Sequence, residues 1–350
     1  MKAPALVLTQ GYFMTENAKT AHGLIRGTDR FDIKSVIDHK HASSDAGELL
    51  DGKGRNIPIL ADLKEAVEQY PEVEYLIIGV ATVGGVLPDE MLPIIEEALR
   101  KGISIVNGLH DYLSDREQLK QLAEENGAEL LDIRRPKKPF ELNFWTGEIF
   151  KVEVPIIAVM GMDCALGKRT TCRMIMEAGQ DVGLNIQMIY TGQTGWLQGG
   201  KYGFILDSTL NDFVSGELEH AILACWKETN PDIILIEGQS ALRNPSGPCG
   251  LEFLISGMAK KVVLVHAPKR KYYEDEAHWG EIPTVASEKE ILKKFGADLI
   301  ALALNTQDCS ELEAKNFQKQ YKEELELPVL LPIIEGVDDI LPTLKRLIAT

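Results

Sequence analysis

The stretch GMDCALGKRTT, Gly161–Thr171, has the residue types and spacing of a phosphate-binding loop. It follows the apolar run PIIAVM and precedes TTCRMIMEAGQDVG, whose pattern predicts a helix. Glycines at a strand-to-helix turn let backbone N–H groups converge on a phosphate, and the helix dipole favours the bound anion. Lys168 would add a positive charge to the phosphate chain. The pattern therefore predicts that a phosphate-containing ligand binds here.

The loop departs from the G-x-x-x-x-G-K-[ST] pattern in two ways. It is one residue longer, and Arg169 stands where a serine or threonine hydroxyl is expected. We expect Thr170 or Thr171 to take over magnesium coordination, with Glu237 as a second ligand. The cofactor-binding residues predicted in this stretch are Gly161, Asp163, Cys164, Ala165, Gly167, Lys168, Arg169, Thr170 and Thr171.

Two later apolar runs end in polar residues that suit the same site. DIILIEGQ ends at Glu237, which resembles the acid that phosphate-loop proteins place near a metal or a water. LALNTQD carries Asn305 and Asp308, similar to an N-x-x-D signature of base recognition. An amide can match a purine edge, and a carboxylate can accept from its exocyclic amine. Ordinary strand ends and turns are the alternatives for both stretches.

The sequence predicts that the elements positioning these residues form two α/β arrays. With 350 residues, and roughly 150 per domain, the length favours two domains. In the first array, runs such as ALVLT and YLIIGVA alternate with helical stretches that end in glycine. The second array has six apolar runs, from PIIAVM to PVLLPI. Continuous apolar runs are typical of parallel strands buried on both faces.

We therefore predict two doubly wound parallel-sheet domains. The first is a Rossmann-like domain over residues 1–140, and the second is a phosphate-loop NTPase-like domain over residues 150–350. The proline-containing segment RRPKKPFELNFWTGE predicts a linker near residues 136–151. No G-x-G-x-x-G follows the first strand, so we expect no dinucleotide site there.

Composition and charge limit the function classes. Hydrophobic residues make up 45% of the chain, and acidic residues outnumber basic ones by 53 to 37, for a net charge of −16. This balance argues against nucleic acid or an anionic membrane as a partner. The five cysteines form no C-x-x-C pair, so neither a zinc site nor a disulfide framework is indicated. We expect a cytoplasmic homo-oligomer that acts on a small molecule.

The chain as a whole resembles a known family. NGLHDYLSD and DIRRP precede the loop, and TGQTG, DFVSGELE, EGQSALRNP and VHAPKR follow it in order. Together they resemble the DgcN-like family, formerly a domain of unknown function and now associated with D-glutamate N-acetylation. The loop itself is similar to that of dethiobiotin-synthetase-like proteins. The resemblance implies acetyl transfer from acetyl-CoA to the amine of a D-amino acid, most simply D-glutamate.

That reaction requires a base, because only a neutral amine attacks a thioester. His266 ends the KVVLVHA run, and its ordinary pKa makes it the first candidate, with Glu237 and Asp163 as the other predicted catalytic residues. Arginine forks suit the substrate carboxylates. The predicted substrate-binding residues are Gln193, Gln239, Ser240, Arg243 and Arg270. The alternative is an ATP-dependent ligase or kinase acting on a carboxylate, in which the loop would hold ATP and Mg²⁺.

Overall fold

The computed structural model describes residues 2–349, which form two compact units. The first contains the chain up to Pro136 together with Gln193–Gly199, and the second contains Lys137–Gly192 and the chain from Gly200 onwards. Each unit alternates strands and helices around a parallel sheet. Within the described residues, no helix has both the length and the apolar character needed to cross a membrane.

The first unit is built on a six-stranded sheet. Its strands are β1 (Ala3–Leu8), β2 (Phe31–Ile37), β3 (Ile59–Leu60), β4 (Tyr75–Ile78), β5 (Ser104–Asn107) and β6 (Leu130–Asp132). Its helices are α1 (Lys19–Arg26), α2 (Ala46–Asp51), α3 (Leu63–Gln69), α4 (Leu92–Arg100), α5 (Glu117–Asn126) and α7 (Gln193–Leu197). The parallel order β3-β2-β1-β4-β5-β6 is that of a Rossmann fold, as the sequence predicts.

Both faces of this sheet are buried, which explains the continuous apolar runs. Leu6 and Leu8 of β1 belong to one hydrophobic cluster, whereas Ala5 and Val7 belong to another. Successive side chains of a strand point to opposite faces, so each face has its own core. Leu197 of α7 joins the second cluster, although it lies far along the chain.

The end of β2 carries Asp38, whose carboxylate is completely buried. It accepts hydrogen bonds from Thr9 Oγ1 and from the backbone N–H groups of Gly11, Phe13 and Lys40, and it contacts Nδ1 of His41. In dinucleotide-binding Rossmann domains, an acid follows the glycine fingerprint and binds a ribose hydroxyl. Here the carboxylate holds the loop after β1 in place, so it is already occupied by protein groups.

The second unit contains a seven-stranded sheet. Its strands are β7 (Ile156–Gly161), β8 (Ile186–Tyr190), β9 (Tyr202–Gly203), β10 (Ile233–Glu237), β11 (Lys261–His266), β12 (Asp298–Leu304) and β13 (Val329–Leu330). Its helices are α6 (Lys168–Asp181), α8 (Asn211–Thr229), α9 (Leu251–Ile255), α10 (Val285–Lys294), α11 (Glu311–Leu325) and α12 (Leu341–Ile348). The order is β13-β12-β11-β7-β10-β8-β9, and every neighbouring pair is parallel.

All six apolar runs predicted for the second half form strands, and the short strands β3 and β9 were not predicted. Each of these two has two residues, too few to show a periodicity. The proline-containing segment that begins the second unit packs along α8. Glu217 accepts from Lys137 and Asn143, and Glu219 accepts from the N–H groups of Thr146 and Ile149.

Candidate phosphate-binding site

The phosphate loop connects β7 to α6 in the centre of the second sheet. Gly167, with φ +92°, is the last residue before the helix and offers no side chain to its first amides. No capping side chain therefore competes with a ligand for the N-terminus of α6, where amides and dipole favour an anion. Glycine suits this position because residues with a Cβ rarely adopt such a conformation.

Lys168, the first residue of α6, is 7% exposed and lies across the end of β7. A Cβ on Gly161 would lie 2.8 Å from Lys168 Cδ, so the glycine makes room for the lysine stem. Lys168 Nζ donates to the backbone carbonyl of Asp163 at 2.6 Å. The ammonium is thus held inside the loop that the sequence predicts to bind phosphate.

Asp163 is the most enclosed residue of the loop, with no exposed surface. Its Oδ1 accepts from Asn244 Nδ2 at 2.8 Å, and its Oδ2 accepts from Arg270 Nη1 at 3.1 Å and from the N–H of Glu274 at 2.8 Å. Both oxygens are therefore engaged by protein donors. The expected catalytic role of Asp163 stays a prediction, and the contacts of its carboxylate are all with protein donors.

The two arginines predicted to bind substrate carboxylates both have acidic partners in the protein. Arg270 Nη1 donates to Asp163 and, at 2.9 Å, to the carbonyl of Cys164. Arg243 Nε donates to Glu288 Oε2 at 2.7 Å, and its Nη1 donates to Ser287 Oγ at 3.0 Å, both on α10. Both guanidinium groups are thus bonded to protein acids, and substrate binding by Arg243 and Arg270 stays a prediction.

Glu237 ends β10, which pairs with β7, and is 4% exposed. Its Oε2 accepts from the N–H of Thr191 at 3.1 Å. Burial raises the pKa of the Glu237 carboxyl above its ordinary value, while the positive charges of Arg169 and Lys168 oppose that rise. A raised pKa makes the Glu237 carboxylate a stronger base than an ordinary glutamate.

Three other predicted substrate residues have identifiable surroundings. Gln239 Nε2 donates to Thr191 Oγ1 at 3.1 Å, next to Glu237. Ser240 Oγ accepts from Cys164 Sγ at 3.3 Å, and its φ of +36° is unusual for a residue with a side chain. Gln193 begins α7, belongs to the first unit, and packs against Gly108. Gln239 and Ser240 thus lie by the phosphate loop of the second unit.

His266 ends β11, where its backbone lies beside the start of the loop: Met162 N–H donates to the Val265 carbonyl at 3.0 Å. Its side chain contacts α11 instead, with Nε2 3.1 Å from the Tyr321 hydroxyl. Its Nδ1 is buried and has no hydrogen-bond partner within residues 2–349. Burial lowers the pKa of His266 to about 4. The expectation of an ordinary pKa is therefore wrong, because an imidazolium is costly in this apolar place.

Asn305 follows β12 and contacts the phosphate loop. Its Nδ2 donates to the Leu166 carbonyl at 3.2 Å, and its Oδ1 accepts from the N–H of Gln307 at 2.8 Å. Asp308 has a left-handed backbone, with φ +59°. Both polar atoms of the Asn305 side chain thus serve the protein, and base recognition by Asn305 and Asp308 stays a prediction.

Matches to known sequences cover both units. Residues 143–341 match the DUF1611 P-loop domain, and residues 39–136 match the DUF1611 Rossmann-like domain, both described as domains of unknown function. The chain belongs to the DUF1611 family. The crystal structure of a DUF1611 protein from Anabaena variabilis at 2.30 Å resolution aligns with a TM-score of 0.89 and 27% identity, covering 99% of this chain and 100% of that one.

Two relatives of this DUF1611 chain carry the name D-glutamate N-acetyltransferase. The protein from a Pseudoalteromonas species is 30% identical over 275 residues, which is 77% of this chain and 80% of its own length. The protein from Tritonibacter scottomollicae is 27% identical over 268 residues, 75% of this chain and 78% of its own. These matches support an N-acetyltransferase, at moderate identity.

The sequence predicts that Thr170 and Glu237 bind a metal, but the cluster of potential metal ligands in this DUF1611 protein lies elsewhere. Among residues 2–349, potential ligand atoms converge within 4.8 Å at Asp163, Cys164 and Glu274. Arg270 already pairs with the Asp163 carboxylate of that group, and its guanidinium would repel a cation. Glu237 likewise has Lys168 and Arg169 as its charged neighbours. Magnesium binding at Thr170 and Glu237 stays a prediction.

Sequence reasoning missed the roles of two residues at the loop. Asn244 is completely buried, with its Nδ2 on Asp163 and its Oδ1 accepting from Ser246. Glu274 contributes its backbone N–H to Asp163, and its carboxylate accepts from Ser246 Oγ at 2.9 Å. Asn244 stands in the quoted motif EGQSALRNP, which was a usable signal, whereas nothing in the sequence around Glu274 singles it out.

Proposed function

We propose that this DUF1611 protein transfers the acetyl group of acetyl-CoA to the amine of a D-amino acid, with D-glutamate as the first substrate. The observation that carries the proposal is the match to two proteins named D-glutamate N-acetyltransferase. The longer match spans 275 residues, more than either unit contains, so the similarity extends to both.

The phosphate loop supports the binding half of this proposal. CoA carries phosphates, and the uncapped start of α6 with the neighbouring ammonium of Lys168 suits an anion. Burial raises the pKa of the Cys164 thiol, which disfavours the thiolate and a covalent acetyl-cysteine. Direct transfer from the thioester to the amine is therefore the simpler reaction.

Direct transfer requires one base and one leaving group. The ammonium of the amino acid gives a proton to the base, and the neutral nitrogen then attacks the thioester carbonyl. The carbon–sulfur bond breaks, the nitrogen loses its second proton as the amide forms, and the CoA thiolate leaves and takes up that proton. We assign the base to Glu237, because its raised pKa brings a carboxylate closer to the proton affinity that transfer needs. A histidine whose pKa lies near 4 is a weaker base at neutral pH.

An ATP-dependent ligase or kinase is the competing function. Lys168 at the start of a helix, followed by Thr170 and Thr171, also suits a β- or γ-phosphate. Arg169 disfavours the ligase or kinase, because this arginine takes the position at which a hydroxyl would hold magnesium.

One experiment separates the two functions. The purified chain is incubated with D-glutamate and acetyl-CoA, while free thiol and N-acetylglutamate are followed by colorimetry and mass spectrometry. A parallel reaction with Mg-ATP replaces acetyl-CoA and measures ADP, and L-glutamate serves as the stereochemical control. We expect thiol release in step with N-acetyl-D-glutamate. ADP formation without thiol release from any amino acid would reject the acetyltransferase.

A further inference from the structure

Three loops of the second unit meet at the carboxylate of Asp163. The first is the phosphate loop itself, the second follows β10 and contains Asn244, and the third follows β11 and contains Arg270 and Glu274. Because the strands are parallel, these loops leave the sheet at the same edge. One buried carboxylate therefore ties together the loops around the candidate site.

The contacts of Asp163 and Arg270 also fix the main chain of the phosphate loop. Arg270 Nη1 bridges Asp163 Oδ2 and the Cys164 carbonyl, so one nitrogen holds two consecutive residues of the loop. The carbonyl of Asp163 in turn receives Lys168 Nζ. The position of the lysine thus depends on the same residue whose side chain is anchored to the other two loops.

Each of these three loops contains backbone in the left-handed region. Ala165, Ser240, Glu274 and Asp275 all have φ between +36° and +62°, a region that residues with side chains rarely adopt. Such conformations persist only where surrounding contacts impose them, and they cluster where a site is held in a set shape. Two of the four, Glu274 and Asp275, are consecutive, and the first donates its N–H directly to Asp163.

We propose that Asp163 is a positioning residue that locks the phosphate loop and segment 270–275 into one rigid anion-binding wall. Its carboxylate is bonded to Asn244, Arg270 and the N–H of Glu274, so its negative charge is neutralised by Arg270 and does not oppose the ligand. Its carbonyl holds Lys168 ready for the phosphate. The proposal rests on the proposed function only in that CoA is taken as the ligand.

The test compares variants with matched charge changes. Asp163→Asn keeps the side-chain volume and one oxygen for Arg270 and Glu274, but it loses the charge and turns an NH₂ group towards Asn244. Asp181→Asn removes the same charge from an exposed position at the other end of α6 and serves as the control. Arg270→Met and the double variant Asp163→Asn/Arg270→Met complete a double-mutant cycle.

Three readouts are measured: the Kd for CoA by calorimetry, kcat and KM with acetyl-CoA, and amide hydrogen exchange of the folded protein. For Asp163→Asn we expect a Kd for CoA weaker by up to about 150-fold, the limit reached if a displaced Lys168 loses its contact with the phosphate. We expect kcat to stay within about threefold, since a positioning residue affects binding rather than proton transfer. Exchange should accelerate in residues 161–168 and 270–275 together. The double variant should be no worse than the worse single variant, because the two residues act as a unit.

Several outcomes would overturn the proposal. A collapse of kcat with unchanged Kd would make Asp163 a catalytic group, and effects that multiply in the double variant would make the two residues independent. Exchange indistinguishable from that of Asp181→Asn would also reject it. If the wild-type chain binds no CoA, the proposed function loses its binding step, and the exchange measurement alone still decides the role of Asp163.

Discussion

Replacing Lys168 by methionine tests the phosphate site most directly. The lysine stem packs over Gly161, and its ammonium donates to the Asp163 carbonyl. Methionine keeps most of that stem and removes only the charged end. We expect the free energy of unfolding to change by no more than about 1 kcal/mol, because the loss of the hydrogen bond to the Asp163 carbonyl is offset by the removal of a buried charge.

Ligand affinity should respond much more strongly than stability. A hydrogen bond to a charged group contributes about 1.5–3 kcal/mol, which corresponds to a Kd about 10- to 150-fold weaker. Gly161→Ala offers a second, geometric test, because its Cβ would lie 2.8 Å from Lys168 Cδ and would push the stem aside. That variant keeps the ammonium, so we expect part of the same loss.

The assay is calorimetric titration with CoA and, separately, with ADP, at fixed salt concentration because charge interactions are screened. Lys260→Met removes the same charge from an exposed residue between α9 and β11 and serves as the control. A Kd for Lys168→Met within twofold of the Lys260→Met value would refute phosphate binding by this lysine. Loss of affinity for ADP but not for CoA would redirect the function towards ATP.

Three further variants test the site and its surroundings. The raised pKa of Glu237 means that its ionised form lowers the stability of the folded protein. The free energy of unfolding of the wild type should therefore fall as pH rises from about 4.5 through the pKa of the folded state. Urea unfolding of Glu237→Gln should show no such fall. The same variant should lose about 10²–10⁴-fold in kcat, and retained turnover would place the base elsewhere. The lowered pKa of His266, about 4 against 6.5, means that the unfolded chain binds a proton first, so acid should destabilise the wild type by about 3 kcal/mol between pH 6.5 and 4. His266→Phe keeps an aromatic ring beside Tyr321 and should lack that acid loss in the same unfolding series; an unchanged loss would assign it to another group. Arg243→Lys should lower the free energy of unfolding by about 1–3 kcal/mol through its lost fork to α10, with little change in the KM for D-glutamate. A raised KM at unchanged stability would restore Arg243 as a substrate ligand.

The strands and the phosphate loop could be predicted because their signals are local. Strands buried on both faces read as continuous apolar runs, and the loop needs glycine where Lys168 crosses β7 and where α6 begins. Helix α7 could not be assigned to its unit in this way. The contacts of its segment with the first unit are long-range: Gln198, the residue after α7, donates from Nε2 to the carbonyls of Gly23 and Gly27. No periodicity within TGQTGWLQ predicts those partners.

The same distinction between local signals and long-range contacts applies to the site residues. Glu237 and His266 could be located because each ends an apolar run, but their pKa values depend on burial by distant segments. For His266 that burial comes with α11, where the imidazole contacts Tyr321. Tyr321 lies more than fifty residues further along the chain. Residue type therefore predicted where titratable groups lie, and tertiary packing decides how they titrate.

The arginines show why a polar loop is an unreliable guide to substrate contacts. Arg270 faces Asp163, which has no exposed surface, and Arg243 faces Glu288, whose side chain is 3% exposed. Removing one partner of a buried ion pair typically costs about 3–5 kcal/mol, because the other charge stays buried and unpaired. A substrate carboxylate would have to supply more than that to draw Arg270 away from Asp163, whereas Arg243, whose side chain is 27% exposed, pairs with Glu288 at a smaller cost. We therefore expect both arginines to keep their protein partners when substrate binds, and to shape the walls of the site rather than hold the amino acid.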